Sequence, residues 1–192
     1  MKIRLRLVIA LLCVLASSAY AEREEAVFAG GCFWCMQSDF DKLKGVESTL
    51  AGYDGGTSPN PSYEIVSAGN SGYSEVVKVF FDNKVLSYGQ LVNYFLHHVD
   101  PTNPNGQFCD IGPQYASKIL YLSMIQKQQA GVEISKAQKV VKPFYTGLVP
   151  STTFYPAEDY HQEYYLKNPA RYHFYRWNCG RDAQVKEVWN GK

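Results

Sequence analysis

Two cysteines, Cys32 and Cys35, follow a Gly-Gly pair in the stretch AVFAGGCFWCMQSDFDKLKG. A C-x-x-C pair can act as a redox dithiol, supply half of a zinc site or close a structural disulfide. The apolar residues before the glycines and the helical spacing after them predict that Cys32 opens a helix. We therefore expect its sulfur at the positive end of the helix dipole, where the thiol pKa falls and the thiolate becomes a nucleophile.

The other cysteines bear on these alternatives. Cys109 and Cys179 each stand alone in the sequence, and His97 and His98 are adjacent. A tetrahedral zinc site needs a second pair of ligands with compatible spacing, and none of these residues supplies one, so we expect no metal site. Two structural disulfides among the four cysteines remain an alternative, but the Gly-Gly turn before Cys32 favours a reactive thiol.

Acidic and phenolic side chains lie in two loops rich in glycine and proline. The first loop, within AGYDGGTSPNPSYEIVSAGNSGYSEVVKV, ends on Glu75 directly before an apolar strand. A carboxyl group partly buried there would have a raised pKa and could donate a proton. The second loop, DPTNPNGQFCDIGPQYASKI, carries Asp110 and Tyr115 into another strand. This pattern predicts a thiol enzyme with an acid and tyrosine hydroxyls, whereas His161 has no clear cysteine partner in the sequence.

Strands and helices alternate in an order that brings these loops to strand ends. Apolar runs predict strands in EAVFAGG, GVESTLAGY, YSEVVKVFFD and YASKILYLS. Helical spacing predicts helices in CMQSDFDKLK, in SYGQLVNYFLHHV with Ser87 as N-cap, and from about Met124 to Val140. The order β-α-β-β-α-β with one added helix predicts an α+β, ferredoxin-like split β-α-β fold, with an antiparallel or mixed sheet and helices on one face. The C-terminal quarter has weak periodicity, and we expect it to wrap the sheet as irregular structure.

The N-terminus has the pattern of a secretory signal peptide. Basic residues at positions 2, 4 and 6 precede an apolar run at positions 7–15, and Ala19-Tyr20-Ala21 fits the small-x-small cleavage rule. We therefore expect residues 1–21 to be removed and the protein to be exported, in a bacterium to the periplasm. An uncleaved anchor and a lipoprotein acylated at Cys13 are the alternatives, although the apolar run is short for a membrane span.

Residues 22–192 are predicted to form one domain. They suffice for a hydrophobic core, and no repeat, low-complexity tract or linker interrupts them. They hold 16 Lys and Arg against 18 Asp and Glu, and no basic stripe indicates nucleic-acid binding. After cleavage of the signal nothing indicates a membrane partner, and the small net charge and the lack of heptads favour a monomer.

The motifs, taken in order, resemble those of the type A peptide methionine sulfoxide reductases. The resemblance rests on GCFWC, GYDGGTSPNPSYEIVSAGNSGYSEVV, HHVDPTNPNGQFCDIGPQYAS and FYPAEDYHQEYYLKNP, and it covers residues 26–169. It implies reduction of methionine S-sulfoxide, free or in oxidised proteins, with no metal and no bound cofactor. It also implies a sulfenic acid that a second thiol converts to a disulfide, which a thioredoxin-like dithiol protein then reduces.

The resemblance gives each candidate residue a role. Cys32 is the nucleophile that attacks the sulfoxide sulfur, and Glu75 is the acid that protonates the oxygen. The substrate-binding residues are Phe33 and Trp34 around the methyl group, Tyr63 and Tyr115 on the oxygen, and Asp110 as a supporting carboxylate. Residues 72–75 read GYSE where many relatives read GHAE, so the acid is kept.

The resolving cysteine is left open by the resemblance. Many relatives read NPYGYC near the C-terminus, whereas this chain reads NPARYH and has His173 in place of that cysteine. Three candidates remain, namely Cys35, Cys179 and Cys109.

Two other functions remain as alternatives. A general thiol–disulfide oxidoreductase would use Cys32 and Cys35 but would leave Glu75 and the tyrosines without a role. A metal-binding periplasmic module is the non-enzymatic alternative.

Overall fold

The structure is a computed structural model that describes residues 23–189, and the predicted signal peptide lies outside the described residues. The strands are β1 (Arg23–Ala29), β2 (Val46–Asp54), β3 (Ser74–Asp82), β4 (Gly106–Gln107), β5 (Asp110–Ile111), β6 (Lys118–Tyr121), β7 (Gly147–Pro150) and β8 (Tyr155–Pro156). The helices are α1 (Phe33–Phe40), α2 (Tyr63–Ser67), α3 (Tyr88–Leu96), α4 (Met124–Ala137), α5 (Tyr164–Lys167), α6 (Pro169–Asn178) and α7 (Arg181–Trp189). None of the helices in this range has the length and apolar character needed to cross a membrane.

Six strands form one mixed sheet in the order β7-β6-β1-β3-β2-β8, while β4 and β5 form a separate hairpin. Neighbouring strands in the sheet are antiparallel except β6 and β7, which are parallel. The α+β class and the mixed sheet are therefore confirmed. Ser87 caps α3 as predicted, and Gln90 completes a capping box.

Apolar residues on both faces of the central strands bury the sheet. Phe28 of β1 stacks on Phe40 of α1 and Phe95 of α3, with ring centroids 5.2 and 4.8 Å apart. Residues of α1, α3 and α4 join this main cluster. On the other face, Val27 belongs to a smaller cluster that Val149 and Phe154 pack against. Because α1 is packed through its apolar residues, its N-terminus has a fixed position beside the end of β1.

The C-terminal segment corrects the prediction of an irregular wrap, because it contains α5, α6 and α7. Pro169 is the first residue of α6, and Gly180, whose φ is +65°, separates α6 from α7, which are ordinary helix start and stop signals. The helical period is hidden because aromatic residues occur all round α6. Tyr172 is buried, whereas Phe174 and Trp177 are 65% and 76% exposed.

Candidate active site

Cys32 lies where β1 turns into α1. Gly31 has a φ of +81°, and a Cβ at Gly30 would come within 2.6 Å of the Met36 sulfur, so this turn disfavours any side chain. The carbonyl of Cys32 accepts the N–H groups of Cys35 and Met36 at 3.1 and 3.3 Å. Cys32 is only 7% exposed. The sulfur is therefore at a helix N-terminus, as predicted, but largely out of water.

The thiols of Cys32 and Cys35 are free and form a hydrogen-bonded pair in which Cys32 donates. Burial raises the pKa of Cys32 well above its usual value. The expected lowering of this pKa at the helix N-terminus is therefore wrong, because desolvation disfavours the charged thiolate. The hydrogen bond from Cys32 lowers the pKa of Cys35, and the charges of Arg181 and Arg176 lower it further.

Glu75 lies near the start of β3, opposite Tyr53 of β2, and is 2% exposed. Its Oε2 accepts the backbone N–H of Phe33 at 3.1 Å. Burial raises the pKa of Glu75 to about 8, although the Phe33 hydrogen bond acts in the opposite direction. The carboxyl group is therefore mostly protonated at neutral pH. An acid in this state beside a buried thiol fits the role of proton donor.

One small cavity, of about 70 Å³, brings the predicted site residues together. It is lined by Cys32, Phe33, Trp34, Tyr63, Glu75, Asp110, Tyr115 and Tyr175. All but Tyr175 were predicted from the sequence. Burial raises the pKa of Tyr63 to about 12 and raises that of Tyr115 as well, so both hydroxyls stay neutral donors. The cavity can thus hold a small group that has an apolar end and an oxygen.

His161 supports the aromatic wall. The indole N–H of Trp34 donates to Nδ1 of His161 at 2.9 Å, and the indole ring stacks on Tyr164 with centroids 3.8 Å apart. His161 is 1% exposed and lies 4.9 Å from Phe33 between ring centroids. Burial lowers the pKa of His161, which keeps the ring neutral and able to accept this bond. The sequence did not indicate this role, because Trp34 and His161 are 127 residues apart.

The side chain of Asp110, at the start of β5, contacts the backbone of the nucleophile Cys32. The carboxylate accepts the N–H of Cys32 and the hydroxyl of Tyr175, the latter at 2.5 Å. Burial raises the pKa of Asp110, while the hydrogen bond from Tyr175 opposes that rise. Tyr175 was missed in the sequence because the weak period of α6 did not indicate which of its aromatic residues face inward.

The other two cysteines of residues 23–189, Cys109 and Cys179, are joined in a disulfide although they are 70 residues apart. Of the three candidate resolving cysteines, Cys35 is thus the one that is a free thiol beside Cys32. Across residues 23–189 no three His, Cys, Asp or Glu side chains are grouped in a way that could hold a metal ion.

The chain is similar to a known protein family, to named bacterial relatives and to a solved structure. The family model for peptide methionine sulfoxide reductase matches residues 24–192. Peptide methionine sulfoxide reductase MsrA/MsrB of Vibrio cholerae is 44% identical over 174 residues, which cover 89% of this chain and 46% of that protein, so the chain spans about half of this relative. Peptide methionine sulfoxide reductase MsrA 2 of Rhizobium meliloti is 43% identical over 180 residues, covering 93% of this chain and 90% of the relative. The crystal structure of reduced Mxr1 from Saccharomyces cerevisiae matches with a TM-score of 0.73 and 31% identity, over 78% of this chain and 88% of that one. The chain belongs to the peptide methionine sulfoxide reductase family.

Proposed function

We propose that this protein reduces methionine S-sulfoxide to methionine, with Cys32 as nucleophile and Glu75 as acid. The observation that carries this proposal is the single cavity that joins a buried thiol, a protonated carboxyl group, tyrosine hydroxyls and aromatic walls. A methyl sulfoxide presents a small apolar methyl group and one strongly accepting oxygen. The family membership supports the same reaction, and free and protein-bound methionine sulfoxide are the proposed substrates.

The first step transfers the sulfoxide oxygen to Cys32. Phe33 and Trp34 contact the methyl group and exclude water. Glu75 gives its proton to the sulfoxide oxygen, and the hydroxyls of Tyr63 and Tyr115 donate hydrogen bonds to the same oxygen. The sulfur of Cys32 attacks the sulfur of the protonated sulfoxide, and a bond forms between the two sulfur atoms. The hydroxyl group then passes from the substrate sulfur to the sulfur of Cys32 while the bond between the two sulfur atoms breaks, and methionine leaves. Cys32 becomes a sulfenic acid, and the proton lost from its thiol restores Glu75.

The second step uses Cys35 as the resolving thiol. Its sulfur already accepts a hydrogen bond from Cys32, and its lowered pKa favours the thiolate. Attack on the sulfenic acid forms a Cys32–Cys35 disulfide and releases water. An external dithiol, in the cell a thioredoxin-like protein, then reduces this disulfide by thiol–disulfide exchange.

The proposed function predicts a stereospecific reaction. With dithiothreitol as reductant, the purified protein should convert the S epimer of a methionine sulfoxide peptide to methionine and leave the R epimer unchanged. Chromatography of the peptide products measures both. A protein that reduces insulin disulfides but consumes neither epimer would instead be a general thiol–disulfide oxidoreductase.

Substitution of Cys35 by serine tests the resolving step. In wild type, one equivalent of sulfoxide should yield a Cys32–Cys35 disulfide that peptide mass mapping identifies. In the Cys35→Ser variant the same equivalent should still release methionine, but Cys32 should remain as a sulfenic acid that dimedone traps. With a thioredoxin-like protein as reductant, turnover should fall at least about tenfold, because thiol exchange has no disulfide to act on. A wild-type link from Cys32 to Cys109 or Cys179 would contradict this assignment.

We further propose that residues 1–21 are a cleaved signal peptide and that residues 22–192 act as a monomeric domain in the periplasm. A disulfide between Cys109 and Cys179 suits an oxidising compartment. N-terminal sequencing of the exported protein should begin at Glu22, and a start at Met1 would contradict cleavage.

We also propose that the strand order β6-β1-β3-β2, with α1 and α3, corresponds to the split β-α-β arrangement.

A further inference from the structure

One wall of the cavity comes from the C-terminal helix α6. The hydroxyl of Tyr175 donates to the Asp110 carboxylate at 2.5 Å. Its ring meets Trp34 edge-on, with centroids 5.9 Å apart and an interplanar angle of 74°. Burial raises the pKa of Tyr175, so the hydroxyl keeps its proton and remains a donor. Tyr175 therefore touches both a polar and an aromatic wall of the site.

Asp110 connects Tyr175 to the nucleophile. Its carboxylate accepts the backbone N–H of Cys32 as well as the hydroxyl of Tyr175. A carboxylate held by two donors has a fixed direction, whereas one held by a single donor can rotate and take up water. The Tyr175 hydroxyl thus helps to fix the charged group that faces the cavity next to Cys32.

The Cys109–Cys179 disulfide lies next to the hydrogen bond between Tyr175 and Asp110. Cys109 directly precedes Asp110, and Cys179 follows α6 with its N–H bonded to the carbonyl of Tyr175 at 2.9 Å. The disulfide brings their Cα atoms to 5.0 Å across a sequence separation of 70 residues. It therefore ties the β4–β5 hairpin to the end of α6, beside the hydrogen bond between Asp110 and Tyr175.

We propose that Tyr175 is a positioning residue of the sulfoxide site and that the Cys109–Cys179 disulfide holds Tyr175 against Asp110. The inference rests on the proposed function. On this proposal, the disulfide maintains the shape of the pocket and does not supply electrons. Its loss should therefore weaken substrate binding. The roles of Cys32 as nucleophile and of Glu75 as acid stay as proposed above.

The test compares three variants in single turnover. Tyr175→Phe, the double variant Cys109→Ser/Cys179→Ser and the triple variant are mixed with a methionine S-sulfoxide peptide without external reductant, so electron supply plays no part. In Tyr175→Phe and in the double variant, the half-saturating sulfoxide concentration should rise about tenfold, the equivalent of one lost hydrogen bond to a charged group. The limiting rate should stay within about twofold. The triple variant should be no worse than either parent, because all three lose one shared contact.

The matched control is Tyr145→Phe, which removes the hydroxyl of a tyrosine that is 52% exposed, and it should behave as wild type. A Tyr175→Phe variant with the wild-type half-saturating concentration would overturn the positioning role, and so would a fall in the limiting rate alone. A double-serine variant with wild-type values, or a triple variant whose loss is the product of both, would overturn the role of the disulfide.

Cooperative thermal unfolding shows that each variant is folded. If the double variant is not, wild-type protein whose disulfide is reduced by a phosphine just before mixing gives the same comparison. Wild-type protein that releases no methionine would refute the proposed function before any variant is compared.

Discussion

Replacement of Cys32 by serine should abolish sulfoxide reduction, with turnover lowered by at least about 10⁴-fold. A serine hydroxyl is a far weaker nucleophile than a thiol and cannot accept the oxygen as a sulfenic acid. Release of methionine from a methionine S-sulfoxide peptide, with dithiothreitol in excess, measures the loss. Cys32 is nearly buried, but serine and cysteine have side chains of similar size, so the variant should keep the fold.

Cys35→Ser is the matched control, because it makes the same substitution one helical turn away. It should release one equivalent of methionine in the absence of reductant, whereas Cys32→Ser should release none. Cooperative thermal unfolding of both variants excludes loss of structure as the cause. Turnover by Cys32→Ser within tenfold of wild type would remove Cys32 from the mechanism.

The buried state of Cys32 affects how the reaction begins. Its pKa is raised by desolvation, and Glu75 beside it is protonated at neutral pH, so both groups are neutral before substrate enters. A neutral pair avoids placing charge in a site with little water. The sulfoxide oxygen then provides the acceptor that takes the Glu75 proton as Cys32 loses its own. Ionisation is thereby coupled to the presence of substrate.

The residues that could be predicted from sequence are those whose function is visible locally. Cys32 follows two glycines at a strand end, and Glu75 ends a long loop directly before a strand, so each carries its own signal. Tyr175 and His161 do not, because their partners Asp110 and Trp34 are 65 and 127 residues away.

Burial and long-range pairing explain the other differences. The Cys109–Cys179 link joins residues 70 apart, and cysteine count alone does not define connectivity. The pKa of Cys32 was expected to fall because the helix N-terminus is a local feature, whereas the desolvation that raises it comes from packing of the whole domain.

Replacement of Glu75 by glutamine should slow the reductive step by about 10³-fold, the usual contribution of a positioned general acid. Glutamine can still accept the Phe33 N–H but has no proton of suitable acidity to give to the sulfoxide oxygen. Single-turnover release of methionine measures this step without the later disulfide exchange. Alkylation of Cys32 by iodoacetamide, in a Cys35→Ser background, should proceed at a rate close to that of the matching protein with Glu75. Unchanged sulfoxide reduction would show that Glu75 is not the acid.

The pH dependence gives a second reading of the same role. The required form of Glu75 is the protonated one, so its contribution is complete well below pH 8 and is lost as the pH rises through about 8. Ionisation of Cys32 acts in the opposite direction. The informative quantity is therefore the rate of sulfoxide reduction divided by the rate of Cys32 alkylation at the same pH. In the protein with Glu75 this ratio should fall above pH 8, whereas in Glu75→Gln it should stay level.

The stability of the wild-type protein should also fall as the pH rises. The folded-state pKa of Glu75, about 8, lies above its ordinary value of 4.5, so between these values the unfolded chain ionises while the folded protein does not. The protonated Glu75 therefore contributes to the free energy of unfolding of wild type. This contribution is fully present below pH 4.5, decreases as the pH rises and is lost above pH 8. Glutamine does not titrate, so urea unfolding at pH 5, 7 and 9 should show Glu75→Gln gaining on wild type between pH 5 and 7 and changing little beyond pH 8. A difference between the two proteins that does not vary with pH would mean that Glu75 is ionised in the folded state. A carboxyl group that destabilises the folded protein at neutral pH, in a position where glutamine would fit, is expected where the proton itself is needed.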